Sequence, residues 1–316
     1  MQEIELKFQI PPRGRDALAS TVGEDGAVRA VRLQARYFDT AARDLAGAAF
    51  ALRLRREDEG WVQTLKGRGD GMMRRLEHNA PVDLPPRAGV DAVPALSLGR
   101  HAGTPAGIAL AALLAGRGLG EADLALQFST DITRTHAEVE ADGAVVELAL
   151  DVGQIEGCGQ TLPVWEIEFE LVGGEPAGLL ALAYLWTEAF GLWLDVRSKA
   201  ERGDRLARGV TQGEVPAVCP VDAAQPWSQQ VAVALAPVLA LVGDVADDLA
   251  SPAQRVALAQ ALGVLAQTLR AEAQAEGAAD TVAALAGLVF DAAIWRRAET
   301  QALWLSLLEW SLPDAR

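Results

Sequence analysis

Several short segments of the chain put charged side chains at every second position. Glu3, Glu5 and Lys7 alternate with Ile4, Leu6 and Phe8. Glu166, Glu168 and Glu170 alternate with Ile167, Phe169 and Leu171, and Arg53 and Arg55 alternate with Leu52 and Leu54. Side chains two apart on a strand share a face, so each charged set forms one wall. Arg75, Glu77 and Asn79 form another such set, as do Glu147 with Asp151 and Arg134 with His136. Carboxylates in a row repel one another unless cations offset them. Their oxygens are hard donors suited to Mg²⁺ or Mn²⁺. Paired arginines suit bidentate recognition of phosphate oxygens. The plainer alternative is that these are the solvated faces of a half-buried antiparallel sheet. Lysine usage adds a second signal. Arginine outnumbers lysine 25 to 3, and the lysines, Lys7, Lys66 and Lys199, sit within or beside charged segments.

The elements that must position these residues are strands. Residues 3–10, 28–37, 50–56, 61–66, 74–82, 124–140, 144–152 and 164–172 show period-two alternation or β-branched and aromatic enrichment. Helical pieces are expected at 13–21, 105–115, 176–190 and 199–208. Eight strands are the number that closes a small barrel, and a charged interior would set acidic and basic strands across one cavity. The last hundred residues carry no strand pattern. Their Ala/Leu runs, broken near Pro237, Ser251-Pro252 and Gly277, predict four or five packed helices. Gly213, Pro216, Pro220 and Pro226 mark a connection between the two parts. The division is therefore 1–211, a linker at 212–225, and a helical part at 226–316. The fold class is α+β: an eight-stranded antiparallel barrel with flanking helices, then an α-helical bundle.

Composition narrows the function. The 316 residues carry a net charge of −15, which argues against a general nucleic-acid binder and leaves room for a local basic pocket. Two cysteines, Cys158 and Cys219, fit a reducing compartment and provide no disulfide framework. The first residues lack a signal-peptide pattern. The longest apolar run, 231–242, reads as too short to span a bilayer and is interrupted by Pro237. A cytoplasmic location without membrane contact is expected.

The charged segments resemble the CYTH domain of triphosphate tunnel metalloenzymes. Glu3-Ile4-Glu5-Leu6-Lys7-Phe8 is similar to the family's ExExK signature. Tyr37-Phe38-Asp39-Thr40, Leu52-Arg53-Leu54-Arg55, Thr64-Leu65-Lys66-Gly67 and Arg75-Leu76-Glu77 follow in the family's order. So do Arg134, Asp151, Glu166-Ile167-Glu168-Phe169-Glu170-Leu171 and Ser198-Lys199-Ala200-Glu201-Arg202-Gly203. The resemblance implies a tunnel that holds a triphosphate with divalent metal, Mg²⁺ or Mn²⁺. Bacterial members with a helical extension resemble inorganic triphosphatases, whose extension is a histidine-rich CHAD domain tied to polyphosphate. Here the stretch from Pro252 to Leu258 faintly resembles the CHAD opening, but residues 212–316 contain no histidine and five arginines. A degenerate CHAD-like bundle, serving packing or homo-oligomer formation, is expected.

Roles follow for the hydrolysis of tripolyphosphate to pyrophosphate and phosphate. Arg53, Arg55, Lys66, Arg134 and Lys199 are expected to grip phosphate, with Lys7, Arg75 and Arg202 as further candidates. Glu3, Glu5, Glu168 and Glu170 are the first metal-ligand candidates, followed by Glu166 and Asp151. The water's proton would pass to one of these carboxylates or to Lys7. Glu77 either orients Arg75 through an ion pair or meets substrate itself. His136 either contributes or is structural; His78 and His101 are structural or surface residues. Thiamine triphosphate hydrolysis, cyclisation of ATP to cyclic AMP, and a non-catalytic polyphosphate scaffold are the alternatives. Every candidate precedes the linker, so the chemistry is expected to survive removal of the helical part.

Overall fold

The computed structural model describes residues 4–24, 28–58, 60–68, 75–83, 92–217 and 219–312. Alternating apolar residues build β1 (Glu5–Gln9), β2 (Arg29–Asp39), β3 (Ala51–Glu57), β4 (Gly60–Arg68), β5 (Arg75–Val82), β6 (Ala125–Ala141), β7 (Ala144–Gly157), β8 (Gln160–Gly173) and the two-residue β9 (Trp193–Leu194). Between and after them lie α1 (Arg15–Glu24), α2 (Asp44–Gly47), α3 (Pro105–Gly116), α4 (Pro176–Phe190) and α5 (Lys199–Arg208). Beyond Pro226 come α6 (Trp227–Ala246), α7 (Pro252–Leu269), α8 (Glu276–Leu285) and α9 (Ala298–Trp310).

All pairings are antiparallel, in the order β5-β4-β3-β2-β6-β7-β8-β1-β9. Eight long strands were expected to close on themselves. Instead a ninth strand is present, and among the described residues the ladder stays open between β5 and β9. Trp193 and Leu194 pair with Gln9 and Phe8 along the edge of β1, and the strand order remains that of the tunnel fold. The β6–β7 and β7–β8 hairpins are longer than the sequence suggests. Their turns are only Asp142-Gly143 and Cys158-Gly159, all four residues with positive φ, as a two-residue turn between twisted strands requires.

The apolar face of β1, β7 and β8 is covered by α1 and α4, and the same core continues into α6, α7, α8 and α9. Leu6, Phe8, Phe169, Leu182, Val238, Leu262 and Trp304 belong to one contiguous cluster. Pro237 does not break its helix. It is buried within α6, whose neighbouring Leu235, Val238 and Leu239 are buried too, so packing outweighs the lost backbone hydrogen bond. At 20 residues α6 is long and apolar enough to cross a membrane, unlike the shorter run read from the sequence, yet 67% of its apolar window is buried inside the protein. Ser251 caps α7 as expected, its hydroxyl accepting from the Gln254 amide.

His101 is fully buried at the outer side of β4 and β5. Its ring nitrogens stand 2.9 Å from Gln63 Nε2 and 2.9 Å from His78 Nδ1. Burial, with His78 and Arg100 nearby, pushes its pKa down to about 4. Between that value and the ordinary 6.5, the folded state binds fewer protons than the unfolded chain, so stability rises with pH across this window and is lost as pH falls through it. The melting temperature should therefore drop from pH 6.5 towards 4.5, before the carboxylates titrate. His101→Gln should flatten that drop; an unchanged slope would assign it to another group.

Candidate active site

Register lays out the charged face. Glu5 stands opposite Glu170, which stands opposite Glu147; two residues along, Lys7 meets Glu168; two further, Gln9 meets Glu166, which stands opposite Asp151. Next to Asp151 comes Arg134 of β6. On the other side of β2, Tyr37 stands opposite Arg53 and Ala35 opposite Arg55, while Lys66 of β4 meets Glu77 of β5. Directly opposed residues share a face, so one surface carries an acidic wall on β1, β8 and β7 and a basic wall on β3 and β4.

Helix α5 packs on this same face. Its Ala200, Leu206 and Ala207 lie against Tyr37, Phe128 and Ile132, and its first turn brings Lys199 and Arg202 to the acidic wall. There the carboxylates of Asp151, Glu166 and Glu168 converge, with one oxygen from each lying within 4.8 Å of the others. Asp151 and Glu166 are fully buried. The Lys199 ammonium sits among all three, 2.5 Å from Asp151 and 3.0 Å from Glu168, and ion-paired to Glu166. Arg134 grips Asp151 through two bonds of 2.6 Å and reaches Glu168 at 2.5 Å. Arg202 pairs with Glu166, and Gln9 donates to the same carboxylate at 3.3 Å.

Electrostatics follow from this crowding. Burial would raise the Glu166 and Glu168 carboxyls. Lys199 and Arg202 around the first, and Arg134 and Lys199 around the second, outweigh burial and hold both below the carboxylate range. Burial would lower the Lys199 ammonium, but Asp151, Glu166 and Glu168 hold it above its ordinary value. Lys7 behaves differently. Burial dominates and lowers it, and its ammonium donates to the Arg197 carbonyl.

The basic wall is less satisfied. Among the described residues Arg53 has no carboxylate partner; it donates to the Tyr37 hydroxyl at 3.1 Å. Arg55 is lowered by burial and by the Arg53 charge, despite its pairing with Glu57. Burial would raise the Tyr37 phenol, yet Arg53, Lys199 and Lys66 together hold it down. Cations from β3, β4 and α5 therefore bear on one space.

The remaining sequence candidates are placed as follows. Glu5 and Glu170 stand one step further along the strands than Glu168, outside the converging trio. The trio thus consists of Glu168 and the two second-choice ligands, Asp151 and Glu166. Glu3 and the side chain of Arg75 lie outside the described residues. Glu77 pairs with Lys66 at 2.6 Å, because the two are directly opposed across β4 and β5, and its expected pairing with Arg75 lies outside the described residues. His136 bonds Glu147 at 2.9 Å, and His78 pairs with His101 off the site. Sequence reasoning missed Gln9, although its spacing after Lys7 announces the shared face. It gave Tyr37 no role, and it missed Arg197, whose part in holding Lys7 is carried by a backbone carbonyl and leaves no sequence signal.

The CYTH domain profile matches residues 1–203, well over half of the chain. The chain belongs to the CYTH domain family. An inorganic triphosphatase of Haemophilus influenzae is 29% identical over 208 residues, covering 64% of this chain and 54% of that protein. The chain thus spans about half the length of the curated relative it matches. A Hippeastrum candidate adenylyl cyclase, described as having a dominant triphosphatase activity, is 20% identical and superposes with a TM-score of 0.44 over 66% of this chain and 96% of that one. A candidate adenylate cyclase from Bacillus halodurans is 21% identical, with a TM-score of 0.41 over 60% of this chain and 89% of that one.

Three oxygen donors this close suit a hard divalent cation such as Mg²⁺ or Mn²⁺ within the CYTH domain, provided the Lys199 ammonium swings aside on its flexible stem. Lys199→Met should expose the carboxylates to mutual repulsion. Breaking a buried pair costs about 3–5 kcal/mol, so the melting temperature should fall by several degrees. Millimolar Mg²⁺ or Mn²⁺ should restore more of it than in the unsubstituted chain. No metal-dependent recovery would remove the trio as the metal site.

Proposed function

We propose that this chain is a metal-dependent triphosphate hydrolase, with inorganic tripolyphosphate as its substrate and pyrophosphate and phosphate as products. The observation that carries the reading is Arg53, buried on the basic wall with no carboxylate partner among the described residues. Beside it the Arg55 charge is disfavoured by burial and by Arg53, despite Glu57, and an oxyanion bound between them would relieve it. Phosphoanhydride cleavage needs charge neutralisation on the phosphoryl oxygens and an oriented water. Arg53, Arg55 and Lys66 grip the phosphate chain from one side. Asp151, Glu166 and Glu168 would hold, on the other side, Mg²⁺ or Mn²⁺, which would supply neutralisation of phosphoryl charge and a lower pKa for a water. Lys199, freed from the carboxylates, turns its ammonium to the substrate. Lys7 is the better proton carrier, because burial already lowers its ammonium, whereas Glu168 is held by Arg134 and Lys199.

The bare inorganic chain is favoured over an organic triphosphate by where the tryptophans stand. Trp61, opposite Arg56, and Trp165, beside Glu166 and stacked under Arg15 at 4.6 Å, both belong to the other face of the sheet. Neither offers a platform for a base or a thiazolium ring. Net charge and two free, exposed cysteines fit a small-anion enzyme of a reducing cytoplasm rather than a nucleic-acid binder.

Phosphate release from tripolyphosphate, thiamine triphosphate, ATP and pyrophosphate, each with Mg²⁺, Mn²⁺ or EDTA, tests the reading. Tripolyphosphate should be preferred and EDTA should abolish turnover. Full activity in EDTA would sink the metal's role, and a preference for ATP would replace the substrate. Arg53→Ala and Arg55→Ala should each lower kcat/KM roughly ten- to a hundredfold, since a charge-assisted bond to phosphate is worth about 1.5–3 kcal/mol. Unchanged kinetics for both would return that wall to a solvated face.

A further inference from the structure

We infer that Asp244, in the C-terminal helical part, is a positioning residue for the triphosphate site, holding the segment that carries Lys199 and Arg202 and that receives Lys7. The inference rests on the proposed function for its chemistry, and on geometry for the anchor itself.

Asp244 lies inside α6 and is fully buried. Its Oδ1 accepts from Arg197 at 2.9 Å and from Arg205 at 2.6 Å. Its Oδ2 accepts from Gln254 of α7 at 2.7 Å and from the Gly213 amide at 3.2 Å. The two arginines flank the functional residues of α5: Arg197 stands just before the Ser198 cap, and Arg205 is in the last turn. One carboxylate therefore pins the helix at both ends. Arg197 also binds both oxygens of Asp195 at 2.9 Å and Asp247 at 2.5 Å, while Arg296 holds Asp247 at 2.6 Å. Arg205 in turn holds Glu201 at 2.5 Å, so four carboxylates and three guanidinium groups make up the network.

The link to the site is direct. The Lys7 ammonium donates to the Arg197 carbonyl, and the Asp195 amide donates to the Lys7 carbonyl at 3.0 Å. Residues 195–197 thus hold Lys7 on one side and are held by Asp244 on the other. Close approach is built in. A Cβ at Gly243 would come within 2.5 Å of Arg197 Nε, and one at Gly213 would collide with the Arg205 guanidinium. The sequence reading made the helical part dispensable because no candidate residue lies in it. This network makes it a support of the site instead.

The test uses the full chain and reads the anchor and the chemistry separately. Hydrogen exchange across 195–213 should quicken at least tenfold in Asp244→Asn, with α7, α8 and α9 changing less than twofold. In the same variant kcat on tripolyphosphate should fall at least tenfold, with KM within about threefold because Arg53 and Arg55 are untouched. Asp248→Asn, at an exposed carboxylate outside the network, should match the unsubstituted chain. A folded Asp244→Asn with kcat within twofold, or with unchanged exchange in α5, overturns the inference. If Asp244→Asn does not fold, Arg205→Gln removes one arm of the anchor: local loosening of 199–208 with lower kcat supports it, and even loosening of the whole chain overturns it. If the unsubstituted chain releases no phosphate from tripolyphosphate, the functional reading fails by itself, and the exchange comparison then decides the anchor.

Discussion

Three carboxylates that share one small volume of buried space impose the main constraint on this protein. Asp151, Glu166 and Glu168 approach one another within 4.8 Å on neighbouring strands. Such a cluster cannot stay ionised without cations packed against it. Arg134 supplies one from inside the sheet. The others come from α5, a helix that the strand order alone would leave free to pack elsewhere. The requirement for Lys199 and Arg202 at the acidic wall explains why α5 lies on the charged face, with Ala200, Leu206 and Ala207 turned towards Phe128 and Ile132. It also explains the helix's odd composition, polar on one side and small and apolar on the other.

The same constraint gives the site its asymmetry. Asp151, Glu166 and Glu168 are ion-paired to Arg134, Lys199 and Arg202, while Arg53 on β3 has no carboxylate partner among the described residues and Arg55 pairs with Glu57. Under the proposed function, a divalent cation at the acidic wall would displace the Lys199 ammonium and free it for a phosphate ligand on the basic one, so that each would favour the other's binding.

Much of this was legible in the sequence, for a physical reason. Period-two alternation of charge and apolar residues survives translation into structure because register preserves it: Glu5 with Glu170, Lys7 with Glu168 and Lys66 with Glu77 each meet across a ladder. What alternation cannot give is position along the strand axis relative to a helix. That is why alternation alone did not single out the converging trio of Asp151, Glu166 and Glu168. The ninth strand was also beyond reach. Two residues, Trp193 and Leu194, take the edge of β1, and a two-residue strand has no period to read. Pro237 misled in the opposite direction, since the helix break it suggests is overridden by the burial of Pro237 and its neighbours in α6.

The network around Asp244 was illegible because each member has an ordinary local context. Asp244 sits among alanines and valines on a helix, and Arg197 follows a short strand. Their meeting depends on how α6 crosses the segment before α5. Buried ion networks are weak sources of stability, since desolvation consumes most of the Coulombic gain and apolar side chains of similar volume serve as well. What they supply is direction. An apolar contact between α6 and α5 would tolerate sliding by a fraction of a turn, whereas a carboxylate shared by Arg197 and Arg205 fixes both ends of the helix. Lys199 benefits from that fixity, because its ammonium reaches three carboxylates from one origin. The core beneath holds the helices to the sheet, and the ions above it set where on the sheet they stand.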